Sequence, residues 1–452
     1  MNRLTLTLGL SVGVFLAVSP LFAATYYVSS GGDDANTGID VTHAFKTVGR
    51  LNKLQLVPGD QVLFEGGKAF KGTLYLDSRG GGTAAQLVEI GTYGEGRATL
   101  IADYNEDGIL IHESSGYLIH DLVVTGVDPS TDRKMTIGNG VHLTSYDSSV
   151  KTGAIILRNV EVSGFGGQDS NEARFGTGIL LDNYEKGGVL EDITLEQVSS
   201  HDNQLGGLRS LSMTGYRHKN ITVRGSSFYQ NQGAADPSGN TGSGINLAYV
   251  SGVLVEKSKA WENGALNLGN GGPVGIWAWN ADHVVFRGNE SYRNHTSSET
   301  DGGGFDFDGG VTDSVMEGNL SYENDGTGFL ICGTQELGPS SNIVIRGNVS
   351  IDDGRKNSYS SAMIFDQVND SRFDDNLFIM RSATPASLLV SILYWRGANV
   401  KFAGNHYIAD ESKLKVSIVD SPTPEGLEAS SEGTYSGLTP MSQPPKRARF
   451  LK

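Results

Sequence analysis

The 452-residue chain has one cysteine, Cys332, so no disulfide can form within it. A domain without disulfides must draw its stability from a large apolar core. Basic side chains are few: 35 Lys and Arg face 51 Asp and Glu, for a formal net charge of −16. That excess repels nucleic-acid phosphates and anionic lipid, so no nucleic-acid partner is expected. It also weighs against an acidic polysaccharide, unless bound cations or a local basic patch reverse the field. After Thr25 no long apolar run remains, so no membrane span is expected. The nine histidines lack zinc-protease spacing, no serine has glycine two residues away on both sides, and Gly66-Gly67-Lys68-Ala69 lacks the Ser/Thr of a phosphate loop.

The one long apolar run comes first. Asn2 and Arg3 precede Leu4 to Leu21, and Phe22-Ala23-Ala24 closes the run with small residues. That is the layout of a secretory signal peptide. Residues 1–24 are therefore expected to be cleaved near Ala23/Ala24, giving a secreted or periplasmic protein. Residues 25–59 read as an N-terminal strand and capping helix, because Phe45, Val48, Leu51 and Leu54 recur every three residues between Thr42 and Pro58.

What is abundant is glycine, at 61, and it recurs in a pattern. Asn289, Asn319, Asn348, Asn376 and Asn405 each follow a short apolar strand, at spacings of 30, 29, 28 and 29. Tyr229-Gln230-Asn231, Trp261-Glu262-Asn263, Tyr292-Arg293-Asn294 and Tyr322-Glu323-Asn324 run in step with them. Glycine followed by alternating apolar residues opens each unit, as in Gly275-Ile276 and Gly304-Phe305. Short strands at this period, with no helical pattern between them, imply an all-β parallel solenoid. Roughly ten coils are expected over residues 60–420, with Ile276, Ala278, Phe305, Phe307, Phe329 and Ile331 pointing inward. The asparagines read as stacked turn ladders, and the Pro/Ser-rich 421–452 segment as a tail or cap.

Tyr26-Tyr27-Val28-Ser29, Phe45-Lys46-Thr47 and Pro58-Gly59-Asp60-Gln61-Val62, together with the coils that follow, resemble the secreted right-handed parallel β-helix proteins of the pectate-lyase-like superfamily. The resemblance implies a single-domain right-handed β-helix acting on a polysaccharide. It leaves the reaction open, because the superfamily holds lyases, hydrolases, epimerases and non-catalytic proteins.

Register turns the sequence into a surface map. The first outward column reads Leu110, His142, Leu180, Arg209, Asn246, Trp277, Asp306, Leu330, Ile364; the second reads His112, Thr144, Asp182, Leu211, Ala248, Trp279, Asp308, Cys332, Asp366. Asp306 and Asp308 form a carboxylate pair on one strand, the arrangement that glycoside hydrolysis uses. Trp277, Trp279, Arg209 and Asn246 are expected to bind substrate. Asp301 and Asp325 occupy equivalent turns and serve as a further acid, a Ca²⁺ site or plain turn residues. Three readings follow. The first is a glycoside hydrolase using Asp306, Asp308 and Asp325, requiring no cofactor. The second is a Ca²⁺-dependent lyase on a uronate polymer, with Lys356 or Arg209 as base. The third is a non-catalytic glycan-binding or surface protein. A monomer is expected.

Overall fold

The computed structural model describes residues 23–167, 175–235, 239–356, 360–381, 388–409, 416–428 and 435–442. The expected signal peptide lies almost wholly outside them. Three sheets of 14, 12 and 13 strands wrap one axis. Each strand pairs in parallel with its counterpart one coil away, for example Ile276 with Phe305 and Phe305 with Phe329. The solenoid has about twelve turns rather than ten, because strands already form at Thr25–Val28 and still form at Val416–Val419.

Alternation decides what enters the core. Ile276, Ala278, Phe305, Phe307, Phe329 and Ile331 are fully buried, as their period-2 spacing predicts. Phe305 stacks on Phe329 at 5.2 Å between ring centres, so the core repeats coil by coil. On the outer side of the third sheet His201, Tyr229, Trp261, Tyr292 and Tyr322 form a second stack, with ring planes within 10° of parallel. Their faces cover one another and leave only edges to solvent.

The asparagine ladders form as expected. Asn289 donates through both its backbone N–H and Nδ2 to Oδ1 of Asn319, at 2.9 and 3.1 Å. Asn319 repeats this on Asn348, Asn348 on Asn376, and Asn376 on Asn405. A second ladder runs Asn203, Asn231, Asn263, Asn294, Asn324 and ends on Asp353.

Three expectations change. The capping helix shrinks to one α turn, Val48–Leu51, because Phe45 instead bridges in parallel to Val28. Phe45, Val48 and Leu51 still plug the core. Within the 421–452 segment, Leu438–Pro440 pairs with Asn405–Ala409 and extends the third sheet. The outward columns slip at their C-terminal end: Leu330 pairs with Met363 and Cys332 with Phe365, so Ile364 lies in the core. The expected register continued past the insertion between Cys332 and Ser360 without allowing for its effect on the strand phase.

Candidate active site

Asp301, Asp306 and Asp308 line one cleft of about 340 Å³. The local sequence explains why one short segment delivers all three. Asp301 sits at φ +58, a left-handed conformation that aspartate tolerates. Gly302, at φ +79, continues the turn into the strand Gly303–Phe307. At Gly304 a Cβ would come within 2.1 Å of Ser321 Oγ, so only glycine lets adjacent coils close here. Alternation then sends Phe305 and Phe307 inward and Asp306 outward, with Asp308 just beyond on the same face.

The three carboxyls have different surroundings. Asp306 is 3% exposed, and its Oδ1 has no hydrogen-bond partner. Burial, with Asp308 and Asp301 nearby, pushes its pKa far up. It is the neutral member of the group. Asp301 is partly exposed, and its Oδ2 accepts from the Gly272 N–H at 2.6 Å. Burial of the carboxyl and the charge on Asp308 raise it to about 7. Asp308 is also partly exposed. Burial raises its pKa; the Gly309 N–H, which donates to Oδ1 at 2.7 Å, and the neighbouring Cys332 thiol, whose own hydrogen bond runs to the Gly333 carbonyl at 3.6 Å, offset only part of that rise. Cys332 itself is pushed well above the usual thiol range by burial and by Asp308, so it acts as a neutral donor.

The other expected site residues lie elsewhere. Trp277 is 3% exposed and donates its indole N–H to Ser243 Oγ, so it offers no face to a sugar. Trp279 is half-buried, with its indole N–H on Asn246 Oδ1 and its ring edge-on to Tyr249. Asn246 and Arg209 are 1% and 5% exposed. Alternation alone assigns these columns to solvent, yet of the four only Trp279 is partly exposed. The Asp325 carboxylate turns to the Thr296 N–H and to His295 Nδ1, at 3.2 and 3.4 Å, while that of Asp301 turns to Gly272. Among the described residues, no three acidic, histidine or cysteine side chains gather as metal ligands. Lys356 Nζ donates to the Thr296 carbonyl, and neither it nor Arg209 lines the cleft.

Sequence reasoning missed the Gly272 contact and the role of Cys332, although register had already placed Cys332 beside Asp308. It also missed a network on the same sheet, five coils N-terminal to Asp306. There His142 lies between Asp107 and Asp182, at 2.8 and 3.1 Å, and Tyr184 donates to Asp182 at 2.7 Å. Burial alone would lower the His142 pKa, but the two carboxylates push it up to about 10.

A family model described as a right-handed beta helix region matches residues 139–305. No curated protein matches the sequence. Among solved structures, a GH136 lacto-N-biosidase from Eubacterium ramulus superposes with a TM-score of 0.63 at 21% identity, over 87% of this chain and 68% of that one. A mannuronan C-5 epimerase A-module from Azotobacter vinelandii gives 0.51 at 14% identity, over 86% and 92%. A pectate lyase gives 0.50 at 16% identity, over 84% and 79%. At these identities the likeness is one of fold, the right-handed parallel β-helix.

Proposed function

We propose that the protein is a secreted glycoside hydrolase acting on a polysaccharide or oligosaccharide in the Asp301–Asp308 cleft. The observation that carries this reading is the convergence of three carboxyls of one coil on one cleft, in unequal surroundings. Glycosidic cleavage needs one carboxyl that holds a proton near the working pH and one that stays charged. Asp301, raised to about 7 and reachable from solvent, is the proton donor to the leaving oxygen. Asp308, which accepts from the Gly309 N–H, is the charged partner that attacks the anomeric carbon or activates water. Asp306 is the buried neutral group between them, which keeps the local charge low. The pair Asp301 and Asp308 thus replaces Asp306 and Asp308 as the centre of the site.

The fold is equally compatible with lyases, but a lyase on a uronate needs a base and a group that neutralises the substrate carboxylate. Lys356 and Arg209, the candidates for the base, are held away from the cleft. The test is product analysis on a polysaccharide panel. New reducing ends, without the ultraviolet absorbance of an unsaturated uronide, are expected. Asp301→Asn and Asp308→Asn should each lose at least about 100-fold in kcat with the fold intact. Activity should fall as pH rises past about 7, where Asp301 gives up its proton. Unsaturated products, or near-native turnover in both variants, would refute the assignment.

A further inference from the structure

The two outward columns behave differently on either side of the acids. Toward the N-terminus the first column is closed: Trp277, Asn246 and Arg209 follow Asp306 and are all buried. Toward the C-terminus both columns are apolar, and partly exposed at Leu330, Phe365 and Leu393, while Met363 is buried. Asp306 is followed by Leu330 and Met363, and Cys332, one coil beyond Asp308, by Phe365 and Leu393. All four apolar residues line the same cleft as the carboxyls. With coils about 4.8 Å apart, this wall begins one coil from the acids and continues for about two more. A substrate that enters this cleft meets that wall on one side and Asn270, Gly271 and Thr300 among the other lining residues.

The charge of the cleft is as one-sided as its shape. Three aspartates line it, and among its described lining residues there is no lysine, arginine or histidine. A carboxylate-bearing sugar would meet the charged Asp308 with nothing to neutralise it. An apolar wall beside a polar reaction centre instead fits a ring that carries a methyl group.

We propose that the site selects an uncharged glycan whose sugar next to the scissile bond bears a methyl group, seated against Leu330, Phe365 and Leu393. Acetamido and 6-deoxy sugars share that chemistry. The inference rests on the hydrolase reading, yet binding tests it separately from turnover. The full-length Asp301→Asn protein is titrated with neutral oligosaccharides bearing acetamido groups, neutral oligosaccharides bearing 6-deoxy methyls, their unsubstituted counterparts, and oligouronates. Affinity and saturation-transfer NMR are read for each.

One methyl-bearing class should bind at least about tenfold tighter than its unsubstituted counterpart, the usual worth of one well-seated methyl group. Its methyl protons should show the strongest transfer, and the class that does so identifies the source of the methyl. Oligouronates should not bind near neutral pH. Leu393→Ser and Phe365→Ser should abolish the preference, whereas Leu393→Met should keep it; circular dichroism checks the fold of each. Equal affinity with and without the methyl, tighter binding of uronates, or no binding of any class overturns the proposal. Methyl-selective binding without cleavage by the native protein would instead sink the hydrolase reading alone.

Discussion

The asparagine ladders and the acidic cleft both bury polar side chains, and they treat them in opposite ways. In the ladders each amide gives and receives. Asn319 accepts from the backbone and side chain of Asn289, donates to Asn348, and donates again to the Phe286 carbonyl. In the cleft Asp306 is buried with an oxygen unpartnered, next to two more carboxyls. A buried polar group costs free energy unless it is hydrogen-bonded. The ladders meet that condition and hold the fold together. The cleft does not, and that is where chemistry is expected.

The sharpest way to break the comparison is to make a ladder behave like the cleft. Asn319→Ala removes the acceptor for two donors of Asn289 and strands them in the core. Each orphaned group costs about 1–3 kcal/mol, so a loss of roughly 3 kcal/mol or more is expected in chemical denaturation. An unchanged midpoint would mean that water repairs the gap. Next in size is the opposite change, Asp306→Asn. It removes a group that resists ionisation and keeps its shape. Stability should hold or rise by about 1 kcal/mol, and kcat should stay within about tenfold of native. A large loss of rate there would return Asp306 to the catalytic pair.

A smaller effect separates the two regions by pH. The folded pKa of Asp301, about 7, lies above its ordinary 3.8. Its contribution to stability is therefore fully present below the unfolded value and is lost as pH rises through about 7. The Tm advantage of Asp301→Asn over the native protein should grow between about pH 4 and about pH 8. A constant difference would contradict the raised pKa. His142 has a different window: pushed up to about 10, it contributes stability that is fully present below its ordinary 6.5 and is lost progressively as pH rises from there to about 10. The Tm difference between His142→Gln and the native protein should therefore stay constant below about pH 6 and shrink only above it.

The solenoid was legible in the sequence because its signal is repeated. Phe305 and Phe307 alternate as their neighbours do, and Asn289 to Asn405 recur once per coil. The cleft was only half legible. Alternation correctly sent Asp306 outward, but outward from a sheet does not mean exposed. Trp277 faces the same side and is 3% exposed, its indole N–H on Ser243 Oγ. Asp301 was visible as a turn acid, yet its environment depends on Gly272, 29 residues earlier. No local pattern announces a contact of that kind. The slip from Met363 to Ile364 has a similar origin: the turn after Cys332 breaks the period, and register cannot be counted across it.

Both ladders run one way. Each rung's side-chain amide donates to the side-chain oxygen of the following coil, although in the first ladder the same Nδ2 also donates back to a backbone carbonyl of the preceding one. The second ladder stops at Asp353, whose ionised form can only accept. Such a thread can lengthen only by whole links. A gain or loss of part of a coil would put both ladders and the core out of step together, whereas duplicating one whole coil would leave every link satisfied. The turns carry no such restriction. Descendants of this chain would therefore differ in stature by integral coils, and in what they recognise by the turns and outward columns, so that size and specificity can evolve separately.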